Sequence, residues 1–365
     1  MRAIIVSSFD TYLERIELLK EYYDSKGYNT TVILSNFKHF KKEFVNEEKE
    51  GYIYIKTKPY YKNLSLDRLY SHYRFSKDAF IKVEQLQPDL LHVLIPANSL
   101  TKDADNYKKR HPNVKLYLDL IDLWPETMPI GNIKNMFPFS LWKKVRDDHL
   151  NSANLVFTEC NLYKNILTKD NDPRYKTLYW AKKDEAIESF PSIKNNEIHL
   201  CYLGSINNII DIDIILEICN KFQNLYPVYL HIIGNGEKKQ ELLNRVKSSG
   251  INIIDHGTIY DKVAKQKIFD KCHFGLNIMK SSVCVGLTMK SLDYFQAGLP
   301  IINNIQGDTW KLVNDYHIGF NYQDECNILL NINTNKELRE NTKKIYNEMF
   351  SKASFLQSFR ELEEI

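Results

Sequence analysis

Residues 198–242 read IHLCYLGSINNIIDIDIILEICNKFQNLYPVYLHIIGNGEKKQEL. An apolar run ends at Gly204, a segment of helical period follows near 209–223, and a second apolar run, VYLHIIG, fills 228–234 before another helical pattern at 236–249. Strands separated by helices of this length are parallel, because only a long crossover returns the chain to the same sheet edge. The series continues through INIID (251–255), a helix near 261–271, FGLNIM (274–279), a helix near 287–297 and LPIIN (299–303). A separate series precedes it: AIIVS (3–7), TTVILS (30–35), YIYI (52–55), LLHVLI (90–95), KLYLDLI (115–121) and NLVFTE (154–159). Helical stretches lie between most of these, notably at 64–86 and 139–152.

Two such series, in a chain of 365 residues, exceed what one hydrophobic core organises. The polar, strandless stretch AKKDEAIESFPSIKNNE (181–197) is the natural linker. The fold class expected is α/β, with two Rossmann-like doubly wound parallel-sheet domains facing across a cleft. Their expected bounds are 1–183 and 184–345, with 346–365 a C-terminal helix that packs back on the first domain. Open sheets of this kind bind ligands at the carboxyl ends of their strands, so that is where function should be sought.

Composition narrows the field. With 43% hydrophobic and 26% charged residues the chain is globular in character. Lys and Arg number 31 against 26 Asp and Glu up to Lys194, and 18 against 20 beyond it, too weak a bias for a nucleic-acid protein. No apolar run approaches a membrane span, and the start lacks the apolar core of a secretory signal. Six cysteines without CxxC spacing read as reduced thiols of a cytoplasmic protein.

At the strand ends of the second series stand Gly204-Ser205, Gly234-Asn235-Gly236, His256-Gly257 and the loop from Lys280 to Thr288. Small residues there suit a backbone that approaches a ligand closely. Further on, VGLTMKSLDYFQAGLPII (285–302) begins a helix near Leu287. Its unpaired N–H groups and partial positive charge suit a phosphate, and Lys290 adds a full charge. Asp293, three residues later on the same helical face, accepts hydrogen bonds from a diol. Phosphate beside ribose is the ligand this pattern fits. An ordinary solvated Lys–Asp pair is the competing reading of these two residues taken alone.

The order of these features resembles the C-terminal domain of glycosyltransferase family 4, of the bacterial polysaccharide-assembly type with a GT-B fold. CYLGSI is similar to its opening strand and phosphate-side loop, and LHIIGNGEKKQEL to its strand, glycine turn and helix. INIIDHGTIYDKVAKQKIFDKCHFGLNIM resembles its base-binding loop and the elements after it, and TMKSLDY a Lys-Glu-Tyr variant of its signature helix. The resemblance implies nucleotide-sugar binding by Gly204, Ser205, Asn207, Gly234, Asn235, Gly236, His256, Gly257, Thr258, Gly286, Leu287, Thr288, Lys290 and Asp293. Lys290 would meet the departing diphosphate and so count as catalytic. The chain departs from the family at the first acidic signature position, which is Val285, and at two usual cations, which are Ser205 and Ile210.

In the first half, LYLDLIDLWPETMPIG (116–131) is similar to a Trp-Pro-Glu segment of the same transferases, with Ile121 where they carry His or Arg. The resemblance places Asp122 at the cleft as a catalytic carboxylate, with Asp119, Trp124 and Glu126 on the acceptor side.

DID at 211–213 has the form of a metal-binding triplet but opens an amphipathic helix, and no two histidines fall at i, i+4, so no metal is expected. The first strand leads into SSFDTY with no GxGxxG, which argues against a dinucleotide enzyme. FKHFKKEF (37–44) and NMFPFSLWKKV (135–145) combine aromatic bulk with lysines and are candidates for peripheral contact with the inner face of the membrane. The function expected is a retaining, metal-independent, cofactor-free glycosyltransferase. It would take a nucleotide diphosphate sugar, UDP by preference, and a glycan or lipid-linked saccharide acceptor of surface polysaccharide such as capsule. The alternative is a non-catalytic GT-B subunit that binds a glycan or a partner protein.

Overall fold

The computed structural model describes residues 1–364 except 48, 63–64, 129, 169–171, 184–185, 189–190, 192 and 323–334, and leaves the side chain at 132 undescribed. The chain divides into two compact units, Met1–Lys183 with Phe355–Ile365, and Asp184–Ser354.

Unit 1 alternates β1 (Arg2–Ser7), α1 (Leu13–Ser25), β2 (Asn29–Ser35), a short hairpin of β3 (Phe37–Lys38) and β4 (Glu43–Phe44), and β5 (Tyr52–Ile55). Then come α2 (Leu66–Leu86), β6 (Leu90–Ile95), α3 (Ser99–Arg110), β7 (Lys115–Leu120), α4 (Phe139–Asp147), β8 (Leu155–Thr158), α5 (Asn161–Leu167) and β9 (Tyr175–Thr177). Seven strands form one parallel sheet in the order β5-β2-β1-β6-β7-β8-β9. Its centre is a continuous apolar run: Ala3, Ile4, Ile5 and Val6 are fully buried, as a strand covered on both faces must be. Ser65 caps α2 by accepting the Arg68 N–H at 3.2 Å, and Gln87 ends it in the left-handed conformation before Pro88.

Unit 2 repeats the plan with β10 (Ile198–Leu203), α6 (Ile212–Gln223), β11 (Val228–Ile233), α7 (Lys239–Ser248), β12 (Asn252–Asp255) and α8 (Lys262–Phe269). It continues through β13 (Phe274–Asn277), α9 (Met289–Gln296), β14 (Ile301–Asn303), α10 (Asp308–Tyr316), β15 (Gly319–Asn321) and α11 (Asn335–Ile345). The parallel order is β12-β11-β10-β13-β14-β15. Ile198, Leu200 and Tyr202 of β10 share one dry cluster with Ile215, Ile218 and Phe222 of α6. Each fully buried aliphatic side chain of this sort contributes about 1.5–3 kcal/mol. In both sheets the chain reverses its winding direction beside the central strand, between β1 and β6 and between β10 and β13.

A π-helical turn (Tyr346–Phe350) leads to α12 (Lys352–Glu364), which belongs to unit 1 from Phe355 onward. Phe359 lies 4.8 Å from Tyr22 and 5.2 Å from Phe157, and Glu363 accepts from the hydroxyls of Tyr22 and Tyr117 at 2.7 and 3.1 Å.

Some local details are not marked by the sequence pattern. FKHFKKEF forms a hairpin: Phe37 and Phe44 meet across it at 5.4 Å, Lys42 takes a left-handed turn, and Phe40 is left 77% exposed. The three-residue strands β9 and β15 are too short to show a period. Cys160, Cys201, Cys219 and Cys272 are buried and Cys284 is half-buried, while Cys326 lies outside the described residues. Among the described residues no helix is long and apolar enough to cross a membrane.

Candidate active site

In unit 2 the loops after β10, β11 and β12 are laced into one layer. The Ile206 N–H donates to the Asn235 carbonyl and the Lys238 N–H to the Ile206 carbonyl, both at 2.9 Å, and the Gly234 N–H to the Gly257 carbonyl at 2.7 Å. A β-carbon on Gly234 would stand 2.0 Å from the Gly204 carbonyl oxygen, and one on Gly236 2.2 Å from that of Ile206. These two glycines therefore also serve the neighbouring loop. Gly204 differs: its φ is +118° and none of the described residues lies within 4 Å of its missing β-carbon.

Asn207 makes a local turn, accepting the Ile209 N–H at 3.1 Å, and lines a polar groove of about 280 Å³ with Asp211, Lys238, Arg245 and Lys280. The DID triplet is structural: Asp211 caps α6 by accepting the Ile214 N–H, and Asp213 pairs with Arg245 at 2.5 Å. His256 closes a row of imidazoles through His231 and His199 to Glu197, with contacts of 3.0, 2.8 and 3.0 Å. Gly257 follows with φ +66° and its N–H on Asp255, and Thr258 is exposed. Ser205 is also exposed.

The start of α9 is the most elaborately held element of the unit. Thr288 caps it by accepting the Ser291 N–H and donates to Asn277 at 2.8 Å. Asn277 in turn donates to Asn303, and Asn303 to Asn321, so an amide ladder crosses the ends of β13, β14 and β15. The Gly286 carbonyl accepts both the N–H and the hydroxyl of Thr309, and Leu287 is buried. From this fixed start Lys290 sends its ammonium over the ring of Tyr202, 4.6 Å from the centroid. It makes no ion pair among the described residues, and burial pushes its amine down to about 7. Asp293 leaves α9 towards α8, 3.5 Å from Lys265. Lys290 and Asp293 thus meet different neighbours, the one at β10 and the other at α8.

In unit 1, Asp122 is half-buried at the end of β7, and its Oδ2 accepts the Tyr12 hydroxyl at 3.1 Å. Trp124 is buried under the Arg68 guanidinium, 4.5 Å from its ring centroid, and is stacked on His72 at 5.9 Å. Two residues expected on the acceptor side are scaffold instead. Asp119 is fully buried, bidentate to Arg15 at 2.7 and 2.9 Å and 3.4 Å from His92, because its strand position faces α1 and α12. Burial would raise its carboxyl, but Arg15 and His92 hold it below the usual range. Glu126 is clamped by both guanidinium nitrogens of Arg146 and by Lys143, tying its loop to α4, and these partners outweigh its burial in lowering its carboxyl. The sequence reading missed Tyr12, Arg68 and Glu159. Glu159 closes the run NLVFTE, and a charge at that strand end was the available signal; no spacing marks Arg68.

Among the described residues no group of three or more His, Cys, Asp or Glu is placed to hold a metal ion.

Two doubly wound units of this kind, with held loops at the strand ends, have the GT-B fold of the glycosyltransferases. Along its full length the chain is similar to HepE of Anabaena, solved with UDP, at a TM-score of 0.67 and 14% identity over 100% of both chains. It is likewise similar to a sucrose-phosphate synthase of Thermosynechococcus elongatus at a TM-score of 0.73 and 10% identity, over 100% of this chain and 98% of that one. The lipopolysaccharide outer core galactosyltransferase WaaB matches at 0.66 and 10%, over 100% and 99%. No protein-family model and no curated protein sequence matches the chain.

Proposed function

We propose that this protein is a retaining glycosyltransferase that takes a nucleotide diphosphate sugar, UDP-sugar by preference, and extends a glycan or lipid-linked saccharide in surface polysaccharide assembly. One observation carries the reading. Lys290 stands in the first turn of a firmly capped helix, over the end of β10 where Gly204 leaves open space, and has no carboxylate partner among the described residues. A diphosphate there receives the helix N-terminus and a full charge, which supplies electrostatic stabilisation of the leaving group without a metal. That HepE is solved with UDP-glucose, and TarM of S. aureus with UDP and α-GlcNAc-glycerol, supports the donor class and a saccharide acceptor.

Unit 1 then holds the acceptor, with Asp122 as its carboxylate at the end of β7. Phe40 and Phe137, 77% and 80% exposed beside lysines, support peripheral attachment at the cytoplasmic face of the membrane. A thermal-shift panel of UDP, GDP and dTDP tests donor binding, because a ligand that binds the folded state raises its melting temperature by mass action. The expected result is a shift with UDP, followed by release of free diphosphate from a UDP-sugar once acceptor is supplied. No shift with any of the three nucleotides overturns the reading.

A further inference from the structure

The carboxyl edge of the unit 1 sheet carries a second titratable group that the sequence motif does not contain. β7 and β8 are neighbours with Leu120 opposite Thr158, so Glu159 comes level with Ile121, the residue before Asp122, close enough for the charge of Asp122 to act on it. The Glu159 N–H still reaches the Leu120 carbonyl at 3.4 Å. Tyr12, from the turn after β1, donates to Asp122 and sets its ring edge-on to Trp180 at 5.9 Å. Trp180 is 4% exposed and its Nε1–H finds no hydrogen-bond partner among the described residues. Asp122 and Glu159 themselves are half-buried, within reach of a ligand.

We propose that Asp122 and Glu159 act as a pair on the acceptor's reacting hydroxyl, Asp122 as the carboxylate that takes its proton and Glu159 as the neutral acid that donates to a neighbouring acceptor oxygen. The inference rests on the glycosyl-transfer reading above. Asp122 faces Tyr12 and Arg68, whereas Glu159 faces Asp122, Arg15, Asp119 and Tyr163. Burial pushes the Asp122 carboxyl up to about 6, against the pull of Tyr12 and Arg68. Burial and then the charge of Asp122 push Glu159 well above the carboxylate range. Of the two, Glu159 is therefore the carboxyl that keeps its proton to higher pH.

In the step itself the acceptor oxygen forms its bond to the sugar's anomeric carbon on the face from which the diphosphate departs, so that the configuration is retained. The bond from that carbon to the diphosphate breaks, and the bonding pair leaves with the diphosphate. The acceptor proton moves to Asp122 and from there to solvent, while Glu159 keeps its own.

The pair predicts an asymmetry between conservative variants. Glu159→Gln, which keeps a neutral donor, should retain transfer within about threefold, whereas Glu159→Ala and Asp122→Asn should each lose tenfold or more. The alkaline limb that Glu159 gives the wild-type pH–rate profile should vanish in Glu159→Gln. A Gln variant as damaged as the Ala variant, or an alkaline limb that survives it, overturns the pair. ¹³C-carboxyl NMR of the labelled protein reads the same pair without turnover: Asp122 should titrate near 6 and Glu159 above it. Both titrating in the ordinary carboxylate range overturns the proposal outright. A titrating pair in a protein that binds UDP-sugar yet transfers to no saccharide defeats the glycosyl-transfer reading, and the catalytic role with it.

Discussion

The ring of Tyr294 rests on the α-carbon of Gly275 so closely that a β-carbon there would come within 2.8 Å of the ring atoms. Tyr294 belongs to α9 and Gly275 to β13, and the contact presses the helix onto the sheet. Its hydroxyl accepts the Leu203 N–H at 2.8 Å and donates to the Cys201 carbonyl at 3.0 Å, completing the edge of β10 where β13 no longer pairs with it. Lys290 lies one turn earlier on the same helix, so this contact also sets where its ammonium sits. Gly275→Ala should cost about 1–3 kcal/mol through overpacking, seen as a lower urea midpoint, and should weaken UDP binding in parallel. An unchanged midpoint would mean that α9 slides freely over the sheet.

Lys290 gives a prediction with a sign. Its amine is pushed down to about 7 by burial, so a sizeable fraction is uncharged at neutral pH. A bound diphosphate favours the ammonium form, so binding should take up a proton between about pH 7 and 9, and affinity should fall as pH rises through that window. Calorimetry in buffers of different ionisation enthalpy measures the uptake. In Lys290→Ala it should disappear, and affinity for UDP should drop far more than affinity for uridine.

The strand–helix alternation that fixes this fold was legible because central parallel strands are covered on both faces and so read as unbroken apolar runs, AIIVS and LLHVLI being the clearest. The helix start at Thr288 and the position of Lys290 were legible for the same kind of reason, since a cap and a first-turn cation are local. Gly234 and Gly236 also pack backbone on backbone, which the sequence does not reveal, because close approach of backbone to backbone and of backbone to ligand leave the same residue in the sequence. Asp119 and Asp122 illustrate the remaining limit. They differ by three positions in one strand and its loop, one facing α1 and the other the sheet edge, and only the partner Arg15, 104 residues away, tells them apart. The acid at Glu159 becomes meaningful only once β8 is known to lie beside β7.

Asp122 should trade stability for function. Its folded carboxyl sits at about 6 against an ordinary value of 3.8, so the folded state binds the proton more tightly than the unfolded chain. That contribution is fully present below about pH 4 and is lost as pH rises through 6. Asp122→Asn, which never ionises, should therefore be more stable than wild type at pH 7 and equal to it near pH 4. Each tenfold difference in proton affinity between the folded and unfolded chain is worth about 1.4 kcal/mol of that gain. Chemical denaturation at the two pH values reads the difference. A variant less stable at pH 7 would show that the carboxylate is held by partners rather than strained by burial.

Asp119 supplies the sharpest separation of scaffold from site. It is fully buried and Arg15 is 1% exposed, and the guanidinium also donates to the carbonyls of Leu178 and Tyr179, binding the end of the unit 1 chain to α1. Two charges so far from water are held by each other's geometry, and removing one strands the other. Asp119→Ala should therefore cost about 3–5 kcal/mol, enough to lower the denaturant midpoint substantially. The double variant Arg15→Met with Asp119→Leu removes both charges and should recover most of that loss, since an apolar pair of similar volume needs no partner. UDP affinity of the molecules that remain folded should not change in either variant, because Lys290 and Asp293 lie in unit 2. Should Asp119→Ala lose under about 1 kcal/mol of stability, far below the cost of stranding a buried charge, yet fail to transfer sugar, the residue belongs with Asp122 at the acceptor after all.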